Sequence, residues 1–228
     1  MKKKIIKRLC KTRNNWNIEN KFHENISLER LSKFLNHYEL LKKTEKIRGT
    51  IIEFGVLKAS SLIRFCLYRD FLKMNKKILA FDAFGSFPKS YKKINNNSIL
   101  KEENKFAEIH DKYTGKGYSL KKVDLILKKK KIKNNQLIKG NIFKTLEKTL
   151  KKNKKMNISF LHLDLDVYLP TIFCLNQLYN NVSKGGIILI DDFKTHPGAT
   201  KATLNFLKKK RKKIKVIKNL RPSYYIQK

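Results

Sequence analysis

Four carboxylates in an acid-poor chain could do chemistry together. Asp164 and Asp166 close the run ISFLHLDLD, and Asp191 and Asp192 close GGIILIDD. Each pair follows a short apolar run of the kind that forms a buried strand, and the stretch between them has helical character. Two such strands joined by a right-handed helical crossover lie parallel. Neighbouring strands are about 5 Å apart, so the acids converge at the carboxyl edge of the sheet, where open α/β sheets bind ligands. Like charges that close raise one another's pKa unless a cation neutralises them. Oxygen donors alone favour a hard cation, magnesium before calcium, with Asp164, Asp191 and Asp192 as its ligands. One strand-end Asp is commonly a helix N-cap. That reading does not easily explain two adjacent acids opposite a third where 18 acids face 54 bases. A cation there could hold a hydroxyl, lower its pKa and orient it for attack on a methyl group. Replacing Asp191 by Ala is expected to abolish such chemistry and leave the fold intact.

A second group sits earlier. Glu53-Phe54-Gly55 ends one apolar run. Glycine lets the backbone turn tightly and approach a ligand, and the following helix N-terminus can donate free N–H groups. Asp82 ends the next run, where a carboxylate accepts hydrogen bonds from ribose hydroxyls. The glycine-rich pyrophosphate turn G-x-G-x-x-G is missing, so a dinucleotide fits poorly. S-adenosylmethionine, a nucleoside without phosphates, fits this lighter motif. His162, inside a strand, reads as a core histidine. His196, in the loop after Asp192, is the better candidate for substrate contact or proton transfer, with a plain loop residue as the default reading. Tyr168 either lines the crevice or packs on the helix.

The elements that must position these residues alternate. Ser27 is a candidate N-cap for a helix from Leu28 to about Lys43. Strands are expected over 50–56, 77–84, 136–142, at the two acid-ending runs, and over 213–217 and 224–227. Helices are expected over 60–74, 98–113, 119–131, 143–150 and 198–210. Residues 1–26 read as a loose basic arm or lid, with Trp16 and Phe22 as anchors. Residues 89–118 have no strong core pattern and read as a surface insertion or a lid. The alternation implies a doubly wound α/β fold, with a mostly parallel seven-stranded sheet and a terminal antiparallel hairpin.

At 228 residues the chain suits one sizeable α/β domain. The net charge is +36. Solvated lysine faces are the default account of it; attraction to nucleic acid, phosphate or an anionic membrane is the functional alternative. No aromatic residues interleave with the lysine runs, so a stacking platform for single strands is not evident. Cys10, Cys66 and Cys174 share no ligand spacing, which fits a reducing cytoplasm better than a disulfide scaffold. No run approaches a membrane span. Monomer and homodimer both stay open.

In one order the chain carries Ile52-Glu-Phe-Gly-Val56, Ser61, Phe81-Asp-Ala-Phe84 through Pro88, Gly140 with Thr145-Leu146, LDLDVY, GGIILIDDF, Pro197-Gly-Ala199 and Lys201-Ala202. This resembles the macrocin O-methyltransferase family, a Rossmann-like branch of class I S-adenosylmethionine-dependent methyltransferases, over roughly 48–228. LDLD and IDD are the most specific pieces. The resemblance implies transfer of a methyl group, with magnesium, to a hydroxyl of a sugar or glycosylated metabolite. It implies Asp164, Asp191 and Asp192 as metal ligands, with Asp164, Asp166 and His196 on the catalytic side. It implies Glu53, Gly55, Val56, Ser61 and Asp82 at the cofactor, and Gly140 and Asn141 near its adenine. It divides the chain into a basic arm and helix, 1–47, matching the family poorly, and a methyltransferase domain, 48–228, with a lid over 85–118. Where the family has two glycines before Ser61, this chain has Ala59-Ser60; Leu165 replaces a glycine between the paired acids; and Leu169-Pro170 replaces a polar pair. Two rival readings follow: a nucleic-acid-binding protein or nucleic-acid methyltransferase, from the charge, and a class I fold that no longer catalyses, from Ala59-Ser60.

Overall fold

A computed structural model describes residues 2–88 and 97–228. Apolar runs bounded by turns form seven strands: β1 (Thr50–Phe54), β2 (Ile78–Asp82), β3 (Asn135–Lys139), β4 (Ile158–Leu163), β5 (Val182–Ile190), β6 (Lys215–Ile217) and β7 (Ser223–Gln227). Their order is β3-β2-β1-β4-β5-β7-β6. The first five are parallel, whereas β7 runs antiparallel to both β5 and β6. The doubly wound sheet with its terminal hairpin is as the sequence implies. The order reverses at β1 and β4, the switch point at which such sheets bind ligands. Strands β1 and β4 are buried over nearly their whole length, which is why they read as continuous apolar runs rather than alternating ones.

Helices cover both faces: α2 (Leu28–Lys42), α3 (Ser60–Phe71), α4 (Asn97–Thr114), α5 (Leu120–Lys129), α6 (Ile142–Lys152), α7 (Tyr168–Leu178) and α8 (Pro197–Lys210) follow α1 (Lys2–Asn25). One core layer joins Leu40, Leu62, Phe65 and Val123 to Ile51 and Phe160 of the sheet. The other joins Leu146, Leu175 and Phe206 to Ile52, Leu161 and Ile188. Helix α2 thus contributes fully buried Leu40 and Leu41 to the same core as the sheet.

The amino-terminal residues depart from expectation. Instead of a loose arm they form the 24-residue α1. Lys, Arg, Ile, Leu and Glu support a helix, and neither Gly nor Pro interrupts one. Without an apolar stripe, the amphipathic signal that would reveal it is missing. Trp16 is not an anchor, being 63% exposed. Phe22 stacks on Phe34 of α2 with centroids 6.2 Å apart. Part of the expected lid, 89–96, lies outside the described residues; its later part is α4. Among the described residues no helix is long and apolar enough to cross a membrane.

Candidate active site

Register puts the acids together. Leu163 of β4 pairs with Ile190 of β5, so Asp164 and Asp191 leave the sheet side by side. One carboxylate oxygen from each of Asp164, Asp191 and Asp192 falls within 4.8 Å of the others. Asp192 Oδ2 accepts from the amides of Leu165 (3.0 Å) and Asp166 (2.9 Å), clamping the LDLD turn. Asp166 sits there in the left-handed region, φ 61°. Asp is one of the few residues besides Gly that adopts that conformation readily, so the turn suits the residue it carries.

Burial, with the charges of Asp191 and Asp192, holds the Asp164 carboxyl well above the usual carboxylate range. Burial and Asp192 push Asp166 up to about 7. His196 lies with Nε2 3.4 Å from Asp166 and Nδ1 3.3 Å from Asp192; its hydrogen bond to Asp192 raises its pKa. Asp166, Asp192 and His196 form a second close group of donors.

Asp191 is embedded differently. Lys33 Nζ contacts its Oδ2, and His37 Nε2 lies 3.3 Å and His162 Nε2 3.7 Å from its Oδ1. His162 Nδ1 in turn meets Glu53 Oε1 at 3.1 Å. His37 is driven down to about 3 by burial. Being neutral, it donates to Asp191 from Nε2 while Nδ1 accepts from Arg64 Nη2 at 3.0 Å. His162 loses stability as a cation through burial, but Asp191 and Glu53 outweigh that and raise it to about 9. His162 and His37, with Lys33, hold Asp191 well below the usual range despite burial.

A cavity of about 640 Å³ opens over these groups. Gly55, Val56, Ser61, Asp82 and Gly140 line one end; Asp164, Asp166, Asp191, Asp192 and His196 line the middle; Arg30, Lys33, Arg64 and Arg221 form a basic wall. Gly55 has φ 86°, and a Cβ there would lie 1.8 Å from the Asp164 carbonyl oxygen, so no other residue fits the turn. Asp82 Oδ2 accepts from the amides of Val56 (2.7 Å) and Leu57 (3.2 Å), tying the β1 and β2 turns into one frame. Ala59, which stands where the family's glycines are expected, takes the left-handed conformation itself, φ 64°. The turn is kept at a local cost of about 1 kcal/mol.

Two expected cofactor residues are placed elsewhere. Glu53 is fully buried under the cavity, paired to His162, and does not line it. Asn141 spends its side chain capping α6, where Oδ1 accepts from the Phe143 amide at 3.0 Å. His162 is a core residue as expected, but a bridging one. Lys33, His37 and Arg64 were not found from the sequence. A signal existed: α2 buries Ser32, Lys33, Asn36 and His37 on its inner side, and polar residues on a buried face need partners. Helix α4 adds Glu103, whose Oε1 accepts from the Leu169 amide at 2.8 Å, and Phe106, which packs edge-on against His196.

The sequence model of one family, described as Macrocin-O-methyltransferase (TylF), matches residues 10–221. The match begins well before residue 48, so the amino-terminal helices fall within the family pattern, contrary to the sequence expectation. Among solved structures, the calicheamicin methyltransferase CalS11 is 20% identical, with 93% of this chain and 85% of that chain covered and a TM-score of 0.67. An apo structure of CalS11, described as a TDP-rhamnose 3'-O-methyltransferase, gives 21% identity, 93% and 86% coverage and a TM-score of 0.64. The O-methyltransferase NovP is 19% identical, covering 89% of this chain and 81% of that chain at a TM-score of 0.71. No curated protein matches. At these identities the structural likeness establishes the fold.

Proposed function

The chain belongs to the macrocin O-methyltransferase family of enzymes, and from that premise we propose that it transfers a methyl group from S-adenosylmethionine to a hydroxyl of a sugar or glycosylated metabolite, assisted by a divalent cation, magnesium first. The observation that carries this reading is the convergence, in one cavity, of the Gly55–Asp82 turn frame and three carboxylate oxygens within 4.8 Å. CalS11, described as acting on TDP-rhamnose, supports a sugar acceptor. The donor set fits a hard dication. It is all oxygen, and burial together with the charges of Asp191 and Asp192 raises the Asp164 pKa, a mutual repulsion that a cation would relieve.

When bound, S-adenosylmethionine would supply the methyl group from its sulfonium, and a cation held by Asp164, Asp191 and Asp192 would acidify the acceptor hydroxyl. The remaining work belongs to side chains. Val56, Ser61, Asp82 and Gly140 shape the nucleoside end. Asp166, with a carboxyl near 7, is tuned to take the acceptor's proton at neutral pH, and His196 at 3.4 Å balances its charge. Glu103 of α4 lines the cavity and Phe106 packs against His196, so α4 would limit water at this side of the site. In this reading 48–228 is the methyltransferase domain and α2 of the amino-terminal region completes its cavity.

Asp164→Asn tests the reading, because it removes a ligand and leaves the volume. Transfer to a sugar acceptor should fall at least about 100-fold, with calorimetric binding of S-adenosylmethionine retained. Full activity in that variant, or in EDTA, sinks the metal-assisted mechanism. Absence of S-adenosylmethionine binding by the unaltered protein sinks the whole proposal.

A further inference from the structure

Among the described residues only two lysines, Lys33 and Lys76, are buried. Lys76 ends on a backbone carbonyl, that of Ile47. Lys33 ends on a carboxylate of the acid cluster, Asp191 Oδ2. Its position is fixed by its helix. Asn36, three residues on, donates to Asn219 Oδ1, the Arg221 carbonyl and Ser223 Oγ, and accepts from Asn219 Nδ2 at 2.6 Å. His37, one turn beyond Lys33, reaches the other oxygen of the same Asp191.

The two Asp191 oxygens therefore face different partners. Oδ1 is held from below by His37 and His162, neither of which lines the cavity. Oδ2 is held by Lys33, which does line it. An ion entering from the cavity therefore meets the Lys33 ammonium at Asp191. Charges pair off accordingly: Glu53 with His162 and Asp191 with Lys33, while Asp164 carries no ion pair among the described residues.

We propose that Lys33 is a resident cation of the carboxylate cluster and competes with the divalent metal for Asp191 Oδ2, so that metal binds fully only as this ion pair opens. The inference rests on the metal-assisted reading above. Ammonium and dication repel at such short range, so holding both on one oxygen weakens the hold on each. The resident charge keeps the cluster assembled without metal and makes the metal site a weak, exchangeable one.

Titration of Mn²⁺ alone, without cofactor or acceptor, tests this on the full chain. Lys33→Gln and Lys33→Met should each bind Mn²⁺ at least tenfold more tightly than the unaltered protein. Lys33→Arg, which keeps the charge, and Lys42→Gln, which removes an exposed charge from the same helix, should stay within about twofold. In a crystal of the unaltered protein with Mn²⁺ bound, Lys33 Nζ should have left hydrogen-bond reach of Asp191. Unchanged or weaker binding by both neutral variants overturns the proposal and leaves the metal-assisted reading standing, as does a bound Mn²⁺ with Lys33 still on Asp191. Failure of Mn²⁺ to bind any of the proteins overturns both together.

Discussion

Removing Asp191 would leave the Lys33 ammonium and a protonated His162 without their shared counter-charge. The expectation that Asp191→Ala spares the fold therefore changes. Losing one partner of a buried pair costs about 3–5 kcal/mol, and urea denaturation of the metal-free variant should show a loss of that order. Asp164, which carries no ion pair among the described residues, is the cleaner position at which to test chemistry. The two histidines on Asp191 also give stability a pH signature. His162, raised from 6.5 to about 9, contributes fully below pH 6.5, and its contribution fades as pH rises through 9. His37, lowered from 6.5 to about 3, contributes fully above pH 6.5 and loses that contribution as pH falls towards 3. The two histidines together therefore contribute most near pH 6.5. His162→Gln should flatten the alkaline limb and His37→Gln the acid limb; limbs unaltered in these variants would refute the assignment. The acids themselves were legible because acids are rare here and two strand ends carry them in pairs. Their partners were not, since no local pattern links Lys33 to a residue 158 positions away.

Helix α2 was legible as an element, from Ser27 as N-cap and apolar spacing; Ser27 Oγ does accept from the Arg30 amide. Its task was not, because periodicity shows which face is apolar and says nothing of polar residues buried beside it. Asn36 joins α2 to the β6–β7 connection. Asn36→Ala would strand Asn219, Ser223 and the Arg221 carbonyl, at a cost of about 3 kcal/mol. A matching drop in the denaturation midpoint, with weaker protection of α2 amides in hydrogen exchange, is the expected result. The β1–α3 turn is more stringent. Gly55→Ala would drive a methyl into the Asp164 carbonyl, and calorimetry should show S-adenosylmethionine binding abolished in whatever folded protein is recovered. The βαβ frame was legible because buried parallel strands are continuous apolar runs. Helix α1 was hidden by the same logic, since an exposed helix without a stripe leaves no period to read.

At the scale of the whole chain, a net charge of +36 repels itself. Between 10 mM and 300 mM NaCl that repulsion is largely screened, so the melting temperature should rise with salt; a fall would mean that surface ion pairs outweigh it. Binding to RNA or DNA, should it occur, ought to collapse over the same range and be indifferent to S-adenosylmethionine. The hydrogen bonds of Asn36 span 183 to 187 positions of sequence, and closing so large a loop carries an entropic cost that delays it until the intervening sheet exists. A refolding chain should thus regain its strands before α2 docks. A fluorophore on α2 would then report a later kinetic phase than circular dichroism of the sheet. Until that phase, Asp191 lacks both Lys33 and His37, so the order of folding decides when the charges of the acid cluster come under control.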